Sequence, residues 1–177
     1  MNDTPMPFTV WATMSTGFPL PPEDNRDAIN YMLGIGHTLY WSGDRHWFRV
    51  GYQWDTDVAQ GRNWDYRANR VLAGLQYTLP SWQTRTSYSL DVHFVNYLHA
   101  NTLFPVINPG TVQRADIEQI HVFAVEQPLP FLLRREGGGT RAPLTLRTEY
   151  QVGVTSSDLA IYKYNRNVVS ISISYQY

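Results

Sequence analysis

Residues 169–177 set the terms for the rest of the chain. Val169, Ile171, Ile173, Tyr175 and Tyr177 occupy the odd positions, and Ser170, Ser172, Ser174 and Gln176 the even ones. A period of two puts successive side chains on opposite faces, so this is a β-strand with one apolar and one polar face. Two aromatic rings at one end of the apolar row suit an interfacial girdle, where rings sit at headgroup level. The stretch reads as the closing strand of a transmembrane barrel.

The same alternation divides the chain into seven earlier strands. The first covers about residues 7–16, with Phe8, Val10, Ala12 and Met14 on one face. The others run over about 28–41, 46–55, 67–79, 84–98, 116–127 and 143–155, and residues 156–163 lead into the last. Turn formers separate them: Pro19, Pro21 and Pro22, then Ser42-Gly43-Asp44-Arg45, Pro80-Ser81, Asn108-Pro109-Gly110 and Gly137-Gly138-Gly139. The predicted fold is all-β, an eight-stranded antiparallel up-and-down transmembrane barrel forming one domain over residues 1–177. Connections after odd strands are expected to be long and polar, and those after strands two and four short, as in an outer-membrane barrel.

The even strands also share a frame. Tyr31-Met-Leu-Gly-Ile-Gly-His-Thr-Leu39 aligns with Val71-Leu-Ala-Gly-Leu-Gln-Tyr-Thr-Leu79, and the segments from His121 and Val169 follow suit. This is a hairpin repeat of about 40–50 residues. It assigns Phe123 and Val125 to the apolar row and Glu126 to the polar row, where strand six alone is ambiguous.

Which row faces inward decides between a membrane barrel and a soluble one. The polar row carries Arg49, Arg70, Asp91, Glu126, Arg147 and Glu149 deep within strands. An Arg facing lipid at the midplane costs about 2–4 kcal/mol, whereas opposite charges in a lumen pair with one another. Gly34, Gly36, Gly51, Gly74 and Gly153 share that row, as the narrow interior of an eight-stranded barrel requires. Aromatics gather at strand ends: Tyr31, Trp41, Trp54, Tyr77, Tyr88 and Tyr175. The apolar row is therefore expected to face lipid.

Bulk composition excludes little. The formal net charge of −1, with no Lys/Arg block, gives no electrostatic footprint for nucleic acid. Cysteine is absent, which removes disulfides and thiolate chemistry. Mean hydropathy is −0.35 and no run approaches the roughly 18 apolar residues of a membrane helix, but alternating strands hide their apolar face from such averages. The start lacks the basic and apolar regions of a secretory signal, so a mature form or an excised domain is expected.

Val169-x-Ile171-x-Ile173-x-Tyr175-x-Tyr177 resembles the C-terminal assembly signal of Gram-negative outer-membrane barrel proteins, with Tyr in place of the commoner terminal Phe. The resemblance implies an outer-membrane location, a lipid bilayer around the strands and recognition by the barrel-assembly machinery. The run Tyr162-Lys-Tyr-Asn-Arg-Asn-Val-Val169 resembles the ends of barrels fused behind periplasmic tetratricopeptide-repeat domains, which implies a periplasmic domain of the same chain.

The chemistry-bearing residues admit several readings. His93 lies inward with Asp91 and Ser89, but one step along a strand face is about 7 Å, too far for a Ser-His-Asp relay on one strand. A cross-strand arrangement stays open; otherwise His93 belongs to a polar plug with the six charges above. No dense His pattern marks a metal site, and no cofactor is expected. Gly137-Gly138-Gly139 has no following helix and reads as a turn, not a phosphate cradle. Trp64 and Trp82 read as interfacial anchors ahead of sugar platforms. Function is expected to be that of a structural anchor or surface-loop display module with a plugged interior, not an enzyme. The displayed contact groups would include Phe18, Trp64, Tyr66, Phe104 and Tyr162. The alternatives are part of an exporter or porin-like pore lined by Arg49, Arg147, Asp91, Glu149 and Glu126, a lipid-modifying barrel enzyme using His93, and a soluble lipocalin-like container.

Overall fold

The computed structural model describes residues 11–12, 25–102, 113–129 and 144–175. They form one antiparallel sheet whose strands neighbour one another in chain order. A two-residue segment, β1 (Trp11–Ala12), pairs with Asn30 and Ile29 of the next strand. Seven long strands follow: β2 (Ala28–Trp41), β3 (His46–Ala59), β4 (Tyr66–Thr78), β5 (Arg85–Ala100), β6 (Gln113–Pro128), β7 (Leu144–Ser157) and β8 (Tyr164–Tyr175). A 3-10 turn, Ala160–Tyr162, precedes β8. No helix among the described residues is long and apolar enough to cross a membrane, which says nothing about strands.

Two features differ from the sequence expectation. The described residues give seven full strands instead of eight, and the sheet ends at β1 on one side and β8 on the other, so it is open. Most of the strand expected at 7–16 lies outside the described residues, as do Phe18, Phe104, the 137–139 turn and Tyr177. The loop asymmetry is also weaker than expected. The connections after β3 and β7, residues 60–65 and 158–163, are six residues each, no longer than residues 79–84 after β4. The reason is that β3 does not stop at Asp55: Thr56 and Val58 continue one face and Asp57 the other, all paired with β2. The backbone of the β3–β4 connection is tied down by Gln60 N–H to the Asp27 carbonyl (2.8 Å) and Gly61 N–H to the Asn25 carbonyl (2.9 Å).

Local chemistry fixes the register. The β2–β3 turn holds Ser42, Gly43 and Asp44 at φ 56°, 64° and 64°. Positive φ suits a tight hairpin between right-twisted strands, and Gly43 adopts it without steric cost. The β5–β6 ladder shifts register between Asn96 and Ala100. Groups freed there find other partners: Leu98 N–H donates to the Asp65 carbonyl (2.9 Å), and Gln113 Nε2 donates to the Leu98 carbonyl (3.0 Å).

The pairing places every side chain on one of two faces. One face carries Asp55, Ala68, Thr78, Val95, Tyr97, Asp116, Ala124 and Thr155, all buried. The other presents the apolar row: Leu33 is 70% exposed, Ile35 75%, Ile171 69% and Ile173 67%, with Val50 and Leu75 among their neighbours. Among the described residues only Ala68, Val95, Tyr97 and Ala124 are buried apolar side chains. Folding in water is driven mainly by removing apolar surface from it. This arrangement leaves most of that surface outside.

Asparagines interrupt the exposed apolar face on three strands. On β4 it runs from Val71 to Tyr77, with Leu79 just beyond the strand, and gives way to Asn69 and Arg67 towards the β3–β4 connection. Asn96 interrupts it on β5, where Leu98 follows, and Asn167 and Asn165 end it on β8, whereas exposed Ile29 and Val58 continue it on β2 and β3. Tyrosine hydroxyls reach up to these asparagines: Tyr52 donates to Asn69 Oδ1, and Tyr150 to Asn167 Oδ1 at 3.0 Å. At the opposite end His46 stacks on Tyr77 with ring centroids 4.3 Å apart, beside Trp41 at 5.5 Å.

Ala68 is fully buried between its register partners Asp55 and Val95, and its small side chain lets Asp55 reach across β4. Ala68→Leu should lower the unfolding free energy in detergent by about 1–3 kcal/mol, the usual cost of overpacking. Ala73→Leu, on the exposed face of the same strand, should stay within about 0.5 kcal/mol. Urea unfolding followed by tryptophan fluorescence compares the two.

Candidate functional site

The inward-turned polar face is the part of the molecule with the means to do chemistry. Its side chains form two groups, one towards the β3–β4 and β7–β8 connections and one towards the hairpin turns.

In the first group, alternation alone brings charges from four strands together. Asp55 on β3 reaches over Ala68 to His93 on β5, with Oδ1 at 3.0 Å from Nε2. The other ring nitrogen, Nδ1, faces Glu118 Oε2 on β6 at 3.6 Å. A ring facing a carboxylate from each nitrogen satisfies both only when both nitrogens carry protons. Next to it, Arg70 Nε donates to Asp91 Oδ1 at 2.7 Å, and Nη2 to the second oxygen, a bidentate pair across the β4–β5 ladder. The Tyr66 ring meets His93 edge-on at 6.2 Å and Tyr97 at 5.9 Å.

One layer further out, Arg114 is 6% exposed and Asp116 1%. Arg114 Nε donates to Asp116 Oδ1 at 3.0 Å. Its guanidinium carbon lies 3.4 Å from the Tyr162 ring centroid and 4.3 Å from that of Tyr97, while Arg26 covers Trp64 at 3.9 Å. Asn63 of the β3–β4 connection is tied to Thr102, just after β5, with Asn63 Nδ2 donating to Thr102 Oγ1 at 2.9 Å. Cation–aromatic stacking and buried pairing close this end of the face.

In the second group, Arg147 on β7 donates to Glu126 on β6 through Nη1, and to Glu149 on its own strand through Nη2 at 2.7 Å. Arg85 on β5 stands 3.7 Å from the same Glu126 and is well exposed. Arg49 is exposed too; its Nε donates to Thr38 Oγ1 at 3.0 Å.

Each residue singled out from sequence now has a place. Arg70 and Asp91 pair with each other; Glu126, Arg147 and Glu149 form a cluster; His93 joins Asp55 and Glu118 instead of Asp91; and Arg49 leans on Thr38 with Trp47 nearby. Both groups on His93 are carboxylates, so the cross-strand arrangement is a charge bridge and not a nucleophile–base pair. Val169, Ile171, Ile173 and Tyr175 line the exposed face of β8. His121, placed in the apolar row by the repeat, lies 2.9 Å through Nδ1 from the Tyr88 hydroxyl on the neighbouring strand. Sequence reasoning missed Glu118, Arg114 and Asp116 as members of the network. Parity alone marks them, since each lies an even number of residues from Glu126; Arg114 lies before the strand expected at 116–127, and the partners of Asp116 and Glu118 are set by packing that spacing does not reveal. No group of three or more ligating side chains suited to a metal occurs among the described residues.

The chain matches no protein-family model, no curated protein and no solved structure.

The Arg70–Asp91 pair is half-buried, so it should be worth more than a surface ion pair and less than a fully enclosed one. A double-mutant cycle with Arg70→Gln and Asp91→Asn should give a coupling of about 1–2 kcal/mol in detergent. A cycle pairing Arg70→Gln with Glu149→Gln should give a coupling near zero.

Proposed function

We propose that this chain is a membrane-embedded β-barrel of the outer-membrane type, serving as a structural anchor that carries its odd-strand connections at the cell surface. The carrying observation is the apolar band on the exposed face, which spans the nine residues from Val71 to Leu79 along and just past β4 and meets asparagines on β4, β5 and β8. A tilted membrane strand needs about 9–11 residues, and the band of a barrel is about 25 Å tall. Strands of 12 to 16 residues exceed that need, and the surplus falls beyond these asparagines. There exposed Arg26 and the half-buried rings of Trp64 and Tyr162, packed over buried Arg114, offer contact groups.

Strand direction supports closure through an eighth strand. In an alternating sheet β2 and β8 run the same way, so they cannot close on each other as an antiparallel pair. The segment around β1, already antiparallel to β2, has the right direction to lie between them. In hydrocarbon a free edge leaves backbone groups without water, which drives such closure. In this reading lipid covers the apolar row, the barrel-assembly machinery reads the C-terminal alternation, and any further domain of the same chain sits in the periplasm.

A second reading, part of a wider exporter barrel, is favoured by the exposed polar-face side chains of β8, Ser170, Ser172 and Ser174. Planar-bilayer recording separates the two. The plugged anchor gives no reproducible large conductance steps; a wide pore gives them.

Orientation provides the principal test. Lys163 is the only lysine in the chain and lies exposed just before β8. A lysine-specific protease added to intact cells should cut after Lys163, and denaturing extraction should then yield a C-terminal fragment beginning at Tyr164, detected by mass spectrometry. Protection in intact cells with cleavage only after outer-membrane permeabilisation would reverse the orientation. Release of the protein from membranes by alkaline carbonate would refute membrane insertion.

A further inference from the structure

The second polar group surrounds a cavity of about 220 Å³ on the polar face near the hairpin turns. Its origin is a contrast in side-chain size. Its floor falls where the ladder pairs small residues, Gly74 with Ser89 and Ser87 with buried Ala124. Around this floor stand the long side chains of Trp47, Gln76, Arg85, Glu126 and Arg147. Gly74 has a further use. A Cβ there would lie 3.1 Å and 3.3 Å from Cζ3 and Cη2 of Trp47, so its absence lets the indole lie down against β4.

The charges around the cavity are not evenly engaged. Glu126 is taken closely by Arg147, which also holds Glu149. Arg85 reaches Glu126 only at 3.7 Å with its side chain 60% exposed. The Arg49 guanidinium lies 6.0 Å from the Trp47 ring centroid and is held by a neutral hydroxyl. Of the two guanidiniums that line the cavity with Trp47, Arg85 is thus the one less closely held by a carboxylate, and Arg49 lies on the far side of the lining. Hydroxyls of Ser87 and Ser89 and the Gln76 amide supply neutral hydrogen-bonding groups at the base.

We infer that this cavity is a binding site for one acidic sugar residue, with the pyranose C–H face on Trp47 and the carboxylate on Arg85. Each part of such a ligand meets a matching group. The C–H-rich face of a sugar lies against the negative face of an indole. A carboxylate suits the planar, bidentate guanidinium better than a point cation. The volume lies below the 300–1,000 Å³ of drug-sized pockets, which limits the occupant to about one sugar unit. The first polar group, packed and paired, fills the face at the other end, so the cavity is confined to the half of the face nearer the hairpin turns. The inference rests on the face assignment above, but not on closure of the sheet or on membrane orientation.

Isothermal titration of the detergent-purified full chain with sodium glucuronate, glucose and inorganic phosphate tests it. Glucuronate should bind saturably at one site, at least tenfold more tightly than either glucose or phosphate. Arg85→Gln should weaken glucuronate at least tenfold and leave glucose unchanged. Gly74→Ala, which displaces the indole, should weaken both sugars. Ser87→Ala gives a second reading at the base of the cavity, with a smaller loss for both sugars, and unchanged urea midpoints confirm that the variants fold. The proposal is overturned by absence of saturation in the millimolar range, or by glucose or phosphate binding as tightly as glucuronate. Unchanged affinity in Arg85→Gln also overturns it. Because these measurements are made in detergent, their failure leaves the protease orientation test standing, and the reverse holds too.

Discussion

The molecule is governed by a conflict between its two faces that water alone does not relieve. A seven-stranded sheet in which Leu33, Ile35, Ile171 and Ile173 face outward, while Asp55, Arg70, Asp91 and Asp116 are drawn inward, inverts the usual soluble arrangement. The inversion follows from alternation. With a period of two, choosing a face for one charge chooses it for the whole strand, and ladder pairing passes the choice to the next. Once Arg70 reaches Asp91 diagonally across β4–β5 and Arg147 faces Glu126 across β6–β7, the alternate residues of each strand point the other way. In the proposed reading, an apolar solvent on the outside would turn this from a liability into the main stabilising contact.

The polar face answers the same constraint from within. Charges withdrawn from water need partners, and they find them across a neighbouring ladder, as Arg147 does with Glu126, or two residues along their own strand, as Arg114 does with Asp116. Small residues make longer reaches feasible: Ala68 lets Asp55 meet His93 two strands away, and Gly74 makes room for Trp47. The two ends differ in consequence. Towards the β3–β4 and β7–β8 connections, large rings and paired charges fill the space. Towards the hairpin turns, serines and Gly74 leave a cavity lined by guanidiniums.

Much of the sheet was legible in sequence because its physics is local. The bounds of β2 and the face of every long strand follow from alternation, and the even-strand frame correctly set Phe123, Val125 and Glu126. What escaped was non-local. The partner of His93 lies on β3, and nothing in the spacing of Ser89, Asp91 and His93 points to Asp55. The extension of β3 to Ala59 was hidden because polar residues at 55–57 resemble a loop in composition while still alternating in space. The expected eighth strand and its closure depend on pairing between segments far apart in the chain. The described residues carry that only as far as Trp11 and Ala12.

Spin-label accessibility along β8 tests the inverted faces most directly. Labels placed singly at positions 169 to 174, with the protein in liposomes, would be read against oxygen, which partitions into lipid, and a water-soluble nickel chelate. Labels at 169, 171 and 173 should show high oxygen and low nickel accessibility, and those at 170, 172 and 174 the opposite ranking. A reversed ranking, or accessibility to nickel at all six positions, would contradict the account.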